Sequence, residues 1–344
     1  MKICITGGSG FIGSYFCLLF QKRGDDVVIL DLIEPASELQ HSRFVQGDVR
    51  EPKAVRKALQ GCDAMLNLAA AHHDFGIDND TYFAVNQGGS EVLCEIMDEL
   101  DIRRACFFST VAVYGDAALP HTESTIPSPE TPYGKSKLKG EAVFKRWTEQ
   151  GDDRQCLVIR PTVTFGQHNF ANMYSLIRQI KSGRFLRVGP GSNVKSLSYI
   201  ENIIDATMYL WDLDNRQAFD VFNYIDKPDL TSWEIVQQVY ESLGKNPPGF
   251  GIPMWLARLL VSPFDAVIAV TGKNLPISGA RVKKLYSTQT KFEADKLLEA
   301  GYTPLVPLRE GINRMVQWYL EKGMNESAQW HQPPADVVSF DSED

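Results

Sequence analysis

Short apolar runs alternate with longer stretches of helical apolar spacing along the first half of the chain. Lys2–Thr6 is an apolar, β-branched run that predicts a buried strand, and Asp26–Asp31 predicts a second one. The same criteria predict strands at 43–47, 64–70, 105–109 and 219–224. Helical spacing predicts helices through Phe20 and at 52–59, 82–100, 133–147, 173–180, 232–243 and 308–322. Strands that alternate with helices in this way predict an α/β fold with a doubly wound parallel sheet.

A glycine-rich turn, Gly7-Gly8-Ser9-Gly10-Phe11-Ile12-Gly13, joins the first predicted strand to the first predicted helix. A dinucleotide-binding fingerprint requires this order of strand, glycine turn and helix. Gly7 allows the tight turn, Gly10 lets the backbone approach a pyrophosphate, and Gly13 lets the helix pack closely on the strand. The helix N-terminus then offers free N–H groups to the pyrophosphate. The spacing is GxxGxxG, whereas the common dehydrogenase fingerprint is GxGxxG.

The second predicted strand ends in a carboxylate, Asp31, which follows Gly13 by 18 residues. An acid near this place accepts hydrogen bonds from the adenosine ribose and would repel a 2′-phosphate. The sequence therefore predicts NAD rather than NADP as the cofactor, with a strand-end turn residue as the alternative for Asp31. The small residues Ala69-Ala70-Ala71 would let a flat cofactor lie against the backbone after the fourth strand.

Candidate catalytic side chains follow the fifth predicted strand. Ser109-Thr110 lies directly past its end, where parallel sheets bind their ligands. Tyr133 and Lys137 are four residues apart, so a helix places them on the same face. A free tyrosine, with a pKa of about 10, is a poor base at neutral pH, and an adjacent ammonium group is expected to lower that pKa. Tyr133 could then take a proton from a sugar hydroxyl while a hydride leaves for the nicotinamide. Tyr114 is a rival tyrosine, but residue 118 is alanine, so it lacks a lysine at this spacing.

Several motifs stand in an order that is typical of one family. They are Thr6–Gly13, Asp48-Val49, Asn67–Ala70, Asn86, Ser109–Gly115, Tyr133–Lys137 and Arg160-Pro161. With them the chain resembles the extended short-chain dehydrogenase/reductase family, in its NAD-dependent epimerase/dehydratase branch. The resemblance is specific over the first half of the chain and loose over the second half, which chooses the substrate. It implies a Rossmann fold with a smaller C-terminal substrate-binding domain.

The resemblance also implies roles for individual residues. Thr110 matches the catalytic serine or threonine, Tyr133 the base, and Lys137 the lysine that binds the nicotinamide ribose. Asp48 and Val49 match adenine contacts. The full set of expected NAD contacts is Gly7, Gly10, Phe11, Ile12, Gly13, Asp31, Asp48, Val49, Leu68, Ala69, Ala70, Tyr133, Lys137 and Pro161.

In sugar-nucleotide members of the family, an asparagine and a later basic residue meet the substrate diphosphate. Asn172 and Lys195 are the candidates in this chain, with Arg281 as a second cation and Thr110 at the reacting hydroxyl. The alternatives are a helix N-cap for Asn172, a solvated loop lysine for Lys195 and a basic surface patch for Arg281.

Two positions after Thr110 depart from other members of the family. Dehydratases carry an Asp-Glu pair there, and enzymes that epimerise C3 and C5 carry a cysteine first, whereas this chain has Val111 and Ala112. Hydride chemistry alone remains, and we expect an NAD-dependent nucleotide-sugar 4-epimerase that acts on UDP-sugars. The alternatives are an NAD-dependent dehydrogenase or reductase of a nucleotide sugar or a hydroxysteroid, and a redox-sensing binding protein without catalysis.

Charge and cysteine content bear on partners and compartment. The 344 residues carry a net charge of −8 with no long basic run, so nucleic acid is not an expected partner. The six cysteines are scattered without a CxxC pair, and the chain opens with a strand rather than a signal peptide. Both features predict buried thiols and a cytoplasmic location. His72 and His73 lack an evident third ligand, so we expect no metal site there, and a substrate contact or a loop histidine remain open.

Two domains are expected. The predicted NAD-binding domain spans 1–165, with 195–225 returning to it, and the substrate-binding domain spans 166–194 and 226–323. The polar residues 324–344 are predicted to be disordered.

An apolar stretch and two helices bear on assembly. The stretch 252–271 is interrupted by prolines and charged residues, which disfavours a membrane span. We expect 253–271 to form a lid or a monotopic helix hairpin with peripheral membrane contact. Helices 82–100 and 133–147 are expected to pair with their mates in a homodimer.

Overall fold

A computed structural model describes residues 1–39, 41–72, 77–115, 119–214, 216–257, 259 and 290–326. The strands in these residues are β1 (Lys2–Thr6), β2 (Asp26–Asp31), β3 (Arg43–Gln46), β4 (Ala64–Asn67), β5 (Arg104–Phe108), β6 (Gln155–Pro161), β7 (Val163–Phe165), β8 (Val194–Tyr199), β9 (Phe219–Tyr224) and β10 (Asp226–Thr231). The helices are α1 (Phe11–Lys22), α2 (Pro52–Leu59), α3 (Asn79–Phe83), α4 (Gly89–Glu99), α5 (Pro132–Glu149), α6 (Asn172–Lys181), α7 (Ile200–Trp211), α8 (Ser232–Ser242), α9 (Asp295–Glu299) and α10 (Leu308–Trp318). Arg281, His73 and most of 253–271 and 324–344 lie outside the described residues.

Seven strands form one parallel sheet in the order β3-β2-β1-β4-β5-β6-β9. β1 pairs with β2 on one side and with β4 on the other, so that Ile3 lies opposite both Val27 and Ala64. The strand order therefore reverses at β1, and the crevice between the carboxyl ends of β1 and β4 is where such sheets bind ligands. The predicted α/β fold with a doubly wound parallel sheet is confirmed.

Side-chain alternation along β1 divides the core into two layers. Ile3 and Ile5 pack with Phe16 of α1 on one face of the sheet. Cys4, between them, packs in the opposite layer with Val55 of α2. A strand covered on both faces must be apolar throughout, which explains the continuous runs in the sequence. All six cysteines are buried and unpaired, as predicted.

The helix predicted over 82–100 has a different internal structure. It begins at Asn79 and contains a π-helical turn at Ala84–Gly88 between α3 and α4. Asn86 lies in this turn, where its side-chain oxygen accepts from the N–H of Ala71 at 2.9 Å and its amide donates to the carbonyl of Ala71 at 3.0 Å. The π turn thus directs Asn86 at the backbone that follows β4. That strand ends at Asn67, three residues earlier than predicted.

The apolar face of α4 packs against the core of the same chain. Leu93, Ile96 and Met97 are buried against the sheet. They therefore cannot also supply a free apolar surface for the expected homodimer, which remains a prediction.

The second half of the chain contributes to both sheets. β9 completes the seven-stranded sheet, whereas β8 lies between β10 and β7 in a separate three-stranded sheet. α8 and α10 pack on each other and on β10. Within the part of the chain that the structure describes, no helix combines the length and hydropathy that a membrane span requires.

Candidate active site

The glycine turn has the geometry of a pyrophosphate cradle. Gly7 has a φ of +70°, and a Cβ added there would lie 2.8 Å from the backbone nitrogen of Ala69. A Cβ on Gly13 would lie 2.2 Å from the carbonyl oxygen of Gly7, so only glycine lets α1 start this close to β1. Gly10 is the N-cap of α1, and none of the described side chains caps the first turn. The N–H groups of that turn therefore remain open to a phosphate.

Asp31 lies beside this turn at the carboxyl end of β2. Its carboxylate accepts from the backbone N–H groups of Ser9 at 2.9 Å and Ile33 at 3.3 Å. Burial raises the pKa of Asp31 above its usual value, and the hydrogen bonds from Ser9 and Ile33 act in the opposite direction. These bonds hold the carboxylate at the rim of the cleft, where ribose hydroxyls could donate to it.

One cleft at the carboxyl edge of the sheet brings together most of the expected cofactor contacts. It is lined by Gly7, Gly10, Leu30, Asp31, Leu32, Ile33, Gly47, Asp48, Val49, Leu68, Ala69, Ala70, His72 and Val85. Sequence reasoning missed Leu30, Leu32, Ile33, Gly47 and Val85, which carry no chemical signal and border the cleft only through the fold. A second cleft, lined by Lys2, Gln21, Asp25 and Arg43 among others, lies at the amino ends of the strands, on the opposite edge of the sheet.

The carboxylate of Asp48, expected to contact adenine, is paired with an arginine of the same chain. Its carboxylate accepts from the Nε of Arg50 at 3.0 Å and from Nη2 at 2.8 Å, in a bidentate pair. The charge of Asp48 is thereby neutralised within the chain. Arg50 was not among the predicted site residues.

Thr110 and Tyr133 are brought together by two short backbone segments. The Thr110 hydroxyl accepts from the N–H of Ala112 at 3.1 Å and caps the 3₁₀ turn Val111–Val113. Tyr133 is the second residue of α5, and a Cβ on the next residue, Gly134, would lie 2.5 Å from the carbonyl oxygen of Ala112. Gly134 therefore allows the first turn of α5 to touch the turn after Thr110. The Thr110 hydroxyl is close enough to Tyr133 to lower the pKa of its phenol, and the Tyr133 ring lies 6.4 Å from that of Tyr82.

The pKa of Tyr133 shifts in the direction opposite to the one expected from its spacing to Lys137. Burial raises it to about 12, the nearby Thr110 hydroxyl lowers it, and Tyr82 adds to the rise. Lys137 is itself buried, with its Nζ 4.2 Å from the centroid of the Phe107 ring. Burial lowers the pKa of Lys137 to about 7, against a rise caused by Glu141. Because burial disfavours the charged form of Lys137, its ammonium group is less populated near neutral pH. Lys137 therefore lowers the pKa of Tyr133 less than a fully charged lysine would.

Behind these residues lies a buried ion pair that the sequence analysis missed. Arg160 donates from Nε to Oε1 of Glu141 at 2.9 Å and from Nη2 to Oε2 at 2.5 Å. The Ser109 hydroxyl donates to the same carboxylate. Arg160 also donates from Nη1 to the Tyr114 hydroxyl at 2.9 Å, and that hydroxyl donates to Asn223 at 2.7 Å. The network joins the residue that follows β5 to α5, β6 and β9. Ser109 precedes Thr110 in the chain, and Glu141 lies one helical turn after Lys137.

Two signals could have located this network. Tyr133, Lys137 and Glu141 recur every four residues, so one face of α5 carries all three. Arg160 directly follows the buried apolar run 156–159 in β6, where a charged residue needs a partner. Tyr114 is fully buried, with its hydroxyl held by Arg160 and Asn223, so it is not available as a base.

The predicted substrate residues lie elsewhere. Asn172 is exposed and is the first residue of α6, so its alternative as an N-cap is wrong: the N-cap position is Ala171, whose N–H donates to Asn169 at 2.9 Å. Lys195 lies in β8 opposite Leu230 and is half-buried, so its alternative as a solvated loop lysine is also wrong. Neither residue lines the cleft around the glycine turn.

His72 borders the cofactor cleft, with Nδ1 3.2 Å from the carbonyl oxygen of Ala70. In the described residues, no three side chains of His, Cys, Asp or Glu are placed to hold a metal ion together. The pyrophosphate cradle and the carboxylate at its rim together define a site for a dinucleotide without a 2′-phosphate, and NAD fits it.

Comparison with known proteins agrees with this class. The model of the NAD dependent epimerase/dehydratase family matches residues 3–223. The chain belongs to this family, it is an enzyme, and its cofactor is NAD.

Relatives within the family have several activities. The N-acetyl-alpha-D-glucosaminyl-diphospho-ditrans,octacis-undecaprenol 4-epimerase of Escherichia coli O157:H7 is 35% identical over 319 residues, which cover 92% of this chain and 95% of the relative. The 3beta-hydroxysteroid-dehydrogenase/decarboxylase isoform 1 of Arabidopsis thaliana is 25% identical over 91% of this chain and 78% of its own. The crystal structure of UDP-glucuronic acid 4-epimerase from Bacillus cereus in complex with NAD superposes with a TM-score of 0.74 at 22% identity, covering 92% of this chain and 98% of the other.

Proposed function

We propose that this enzyme is a 4-epimerase of an N-acetylhexosamine linked through a diphosphate to a polyprenol. The observation that carries the proposal is the 35% identity to the undecaprenol-linked 4-epimerase of E. coli O157:H7, which extends over 92% of this chain and 95% of the relative. Two UDP-glucose 4-epimerases reach only 25% and 24% identity. A UDP-sugar, which the sequence analysis favoured, is therefore the second candidate for the same chemistry.

The side chains support hydride chemistry at a sugar hydroxyl. The neighbouring hydroxyls of Thr110 and Tyr133 form a pair that can hold the C4 oxygen and take its proton. Bound NAD supplies a reversible hydride acceptor. Lys137, one helical turn along α5, is the cation that favours the phenolate of Tyr133, and Glu141 favours the charged form of Lys137.

Dehydration is disfavoured by the residues that follow Thr110. Val111 and Ala112 form an apolar 3₁₀ turn and offer no group that can move a proton to or from the neighbouring sugar carbons. Epimerisation needs only that the 4-keto sugar rotate in the site, so that the hydride returns to the other face of C4. The dehydrogenase alternative, favoured by the likeness to the hydroxysteroid dehydrogenase/decarboxylase, would instead release the reduced cofactor.

The test is turnover of two N-acetylglucosamine donors that share the diphosphate and differ in the carrier. The purified enzyme, with no cofactor added, is given the polyprenyl-diphosphate sugar or UDP-N-acetylglucosamine at equal concentration, and the C4 epimer is quantified after acid release. We expect the polyprenyl-linked sugar to be turned over with the higher kcat/KM. Faster turnover of the UDP-sugar would overturn the carrier assignment. Stoichiometric growth of absorbance at 340 nm would overturn epimerisation.

A further inference from the structure

One region of this acidic protein is basic over a long stretch. No Asp or Glu occurs between Arg154 and Glu201, whereas Lys181, Arg184 and Arg187 follow one another at intervals of three. A second stretch, 245–257, also lacks acidic residues; the preceding acid is Glu241. In a chain with a net charge of −8, two acid-free stretches of this kind concentrate positive charge locally.

The two stretches are joined in the structure. The N–H of Ile252 donates to the carbonyl of Arg187 at 2.8 Å, and the N–H of Gly189 donates to the carbonyl of Ile252 at 2.9 Å. The Nζ of Lys245 donates to the carbonyl of Lys181 at 2.7 Å. We call residues 181–189 and 245–257 the basic-apolar surface.

Large apolar side chains stand out from this surface. Phe250 is 89% exposed, Trp255 67% and Leu186 55%, and Leu259, just beyond it, is 62% exposed. Single exposed apolar residues are ordinary, but three within two joined stretches and a fourth next to them are unusual for a surface that faces only water. Lys181, Arg184 and Lys245 are exposed among them.

Aromatic and aliphatic side chains interspersed with Lys and Arg match the chemistry of a membrane surface. The rings and aliphatic groups enter the headgroup and acyl boundary, while the cations remain with anionic headgroups. A protein partner would need a matching acidic and apolar groove, whereas an anionic bilayer offers both properties without a specific shape.

We propose that the basic-apolar surface docks this enzyme on an anionic lipid bilayer. The inference rests on the proposed function, because a polyprenol-linked sugar is held in a membrane and its enzyme must work there. Docking then brings the substrate-binding half of the chain to the headgroup layer, in which the diphosphate sugar lies. The contact is peripheral: side chains enter the interface, and the anchorage depends on both charge and apolar area.

The test is cosedimentation of the full-length protein with vesicles of phosphatidylcholine alone or with one quarter phosphatidylglycerol. We expect binding to the anionic vesicles and a loss of binding in about 0.5 M NaCl, where charges are screened over a few ångströms. Phe250→Ser with Trp255→Ser should weaken binding on the order of ten-fold or more, because two rings leave the interface. Lys181→Gln with Arg184→Gln should weaken it about 25-fold, at about five-fold for each cation.

Matched controls use residues of the same kind outside the surface. Leu298→Ser with Leu305→Ser removes two apolar side chains that are 62% and 67% exposed, and Lys145→Gln with Arg146→Gln removes two exposed cations of α5. Both control pairs should bind vesicles like the wild type. Equal partition of the wild type and both surface variants would overturn the proposal. So would loss of a concentration-dependent dimer in the surface variants, since a second copy would then cover this face.

Turnover of a water-soluble, short-chain polyprenyl-diphosphate sugar separates this inference from the proposed function. The surface variants should turn over the soluble substrate like the wild type and lose activity only on the full-length substrate in vesicles. Normal vesicle binding without turnover of either polyprenyl substrate would refute the proposed function and leave the docking surface standing. Turnover of the soluble substrate without vesicle binding would refute the docking surface alone.

Discussion

Glu141→Gln tests the buried ion pair between Arg160 and Glu141. Glutamine keeps the length of the side chain and one oxygen for the Ser109 hydroxyl and Arg160 Nε, but it removes the charge. It also places an amide in front of Nη2 of Arg160, where the carboxylate now accepts at 2.5 Å. The guanidinium then remains buried without its counter-ion.

The expected cost is large because both partners are almost wholly buried. The side chains of Arg160 and Glu141 are 6% and 5% exposed. Removing one partner of such a pair costs about 3–5 kcal/mol of unfolding free energy, since the remaining charge is left uncompensated. The bond from Arg160 to Tyr114 keeps one donor satisfied, so we expect about 3 kcal/mol, at the lower end of this range.

Urea unfolding measures this cost, and α4 offers a matched control. Glu99 pairs with Arg56 at 2.6 Å, but the two side chains are 41% and 45% exposed. Glu99→Gln should therefore cost no more than about 1 kcal/mol. A loss in Glu141→Gln as small as that of Glu99→Gln would refute the structural role assigned to the buried pair.

The same variant has a pH signature. Glu141 raises the pKa of Lys137, which burial has lowered to about 7, so its removal lowers that pKa further. Lys137 then loses its proton at a lower pH than in the wild type. Because the cationic form favours the Tyr133 phenolate, the decline of kcat/KM with rising pH should begin at a lower pH in Glu141→Gln. An unchanged pH profile would mean that Lys137 does not act through its charge.

Three further predictions concern the base, the cofactor and assembly. Tyr133→Phe should lower turnover by about 10²–10⁴-fold with NAD affinity retained, whereas Tyr114→Phe should keep its turnover and lose stability instead; steady-state rates and NAD titration distinguish them. Asp31→Ala with Leu32→Arg should shift the preference toward NADP, measured as a ratio of affinities, and a wild type that already prefers NADP would contradict the role of Asp31. Light scattering at micromolar concentration should show a dimer, and a mass of 38.6 kDa would refute it.

The sequence alone predicts the first strand, the glycine turn and the helix that carries Tyr133 and Lys137, because each depends on residues close together in the chain. The β-branched run Lys2–Thr6 becomes a strand because it is apolar on both faces, and Gly13 is required because any Cβ there would collide with Gly7. Tyr133 and Lys137 are four residues apart, and both lie on one face of α5 because residues at this spacing are neighbours on a helix.

Tertiary contacts decide what the sequence could not. The π turn around Asn86 depends on the backbone of Ala71, which reaches it only after β4 is in the sheet. The pKa of Tyr133 depends on burial created by several elements, so spacing alone gave the wrong direction. Asn172 could not be distinguished from an N-cap because helix ends vary by a residue or two among similar patterns.

In the proposed 4-epimerase reaction, a hydride leaves C4 and returns to the same carbon within one bound cycle. The most direct measurement is turnover of the polyprenyl-diphosphate N-acetylglucosamine labelled with deuterium at C4, in ordinary water, by enzyme as purified. We expect the C4 epimer to retain the label in full and absorbance at 340 nm not to increase. An epimer that has lost its deuterium to solvent would contradict the proposed function, because that loss requires removal of a proton from carbon, for which Val111 and Ala112 provide no group.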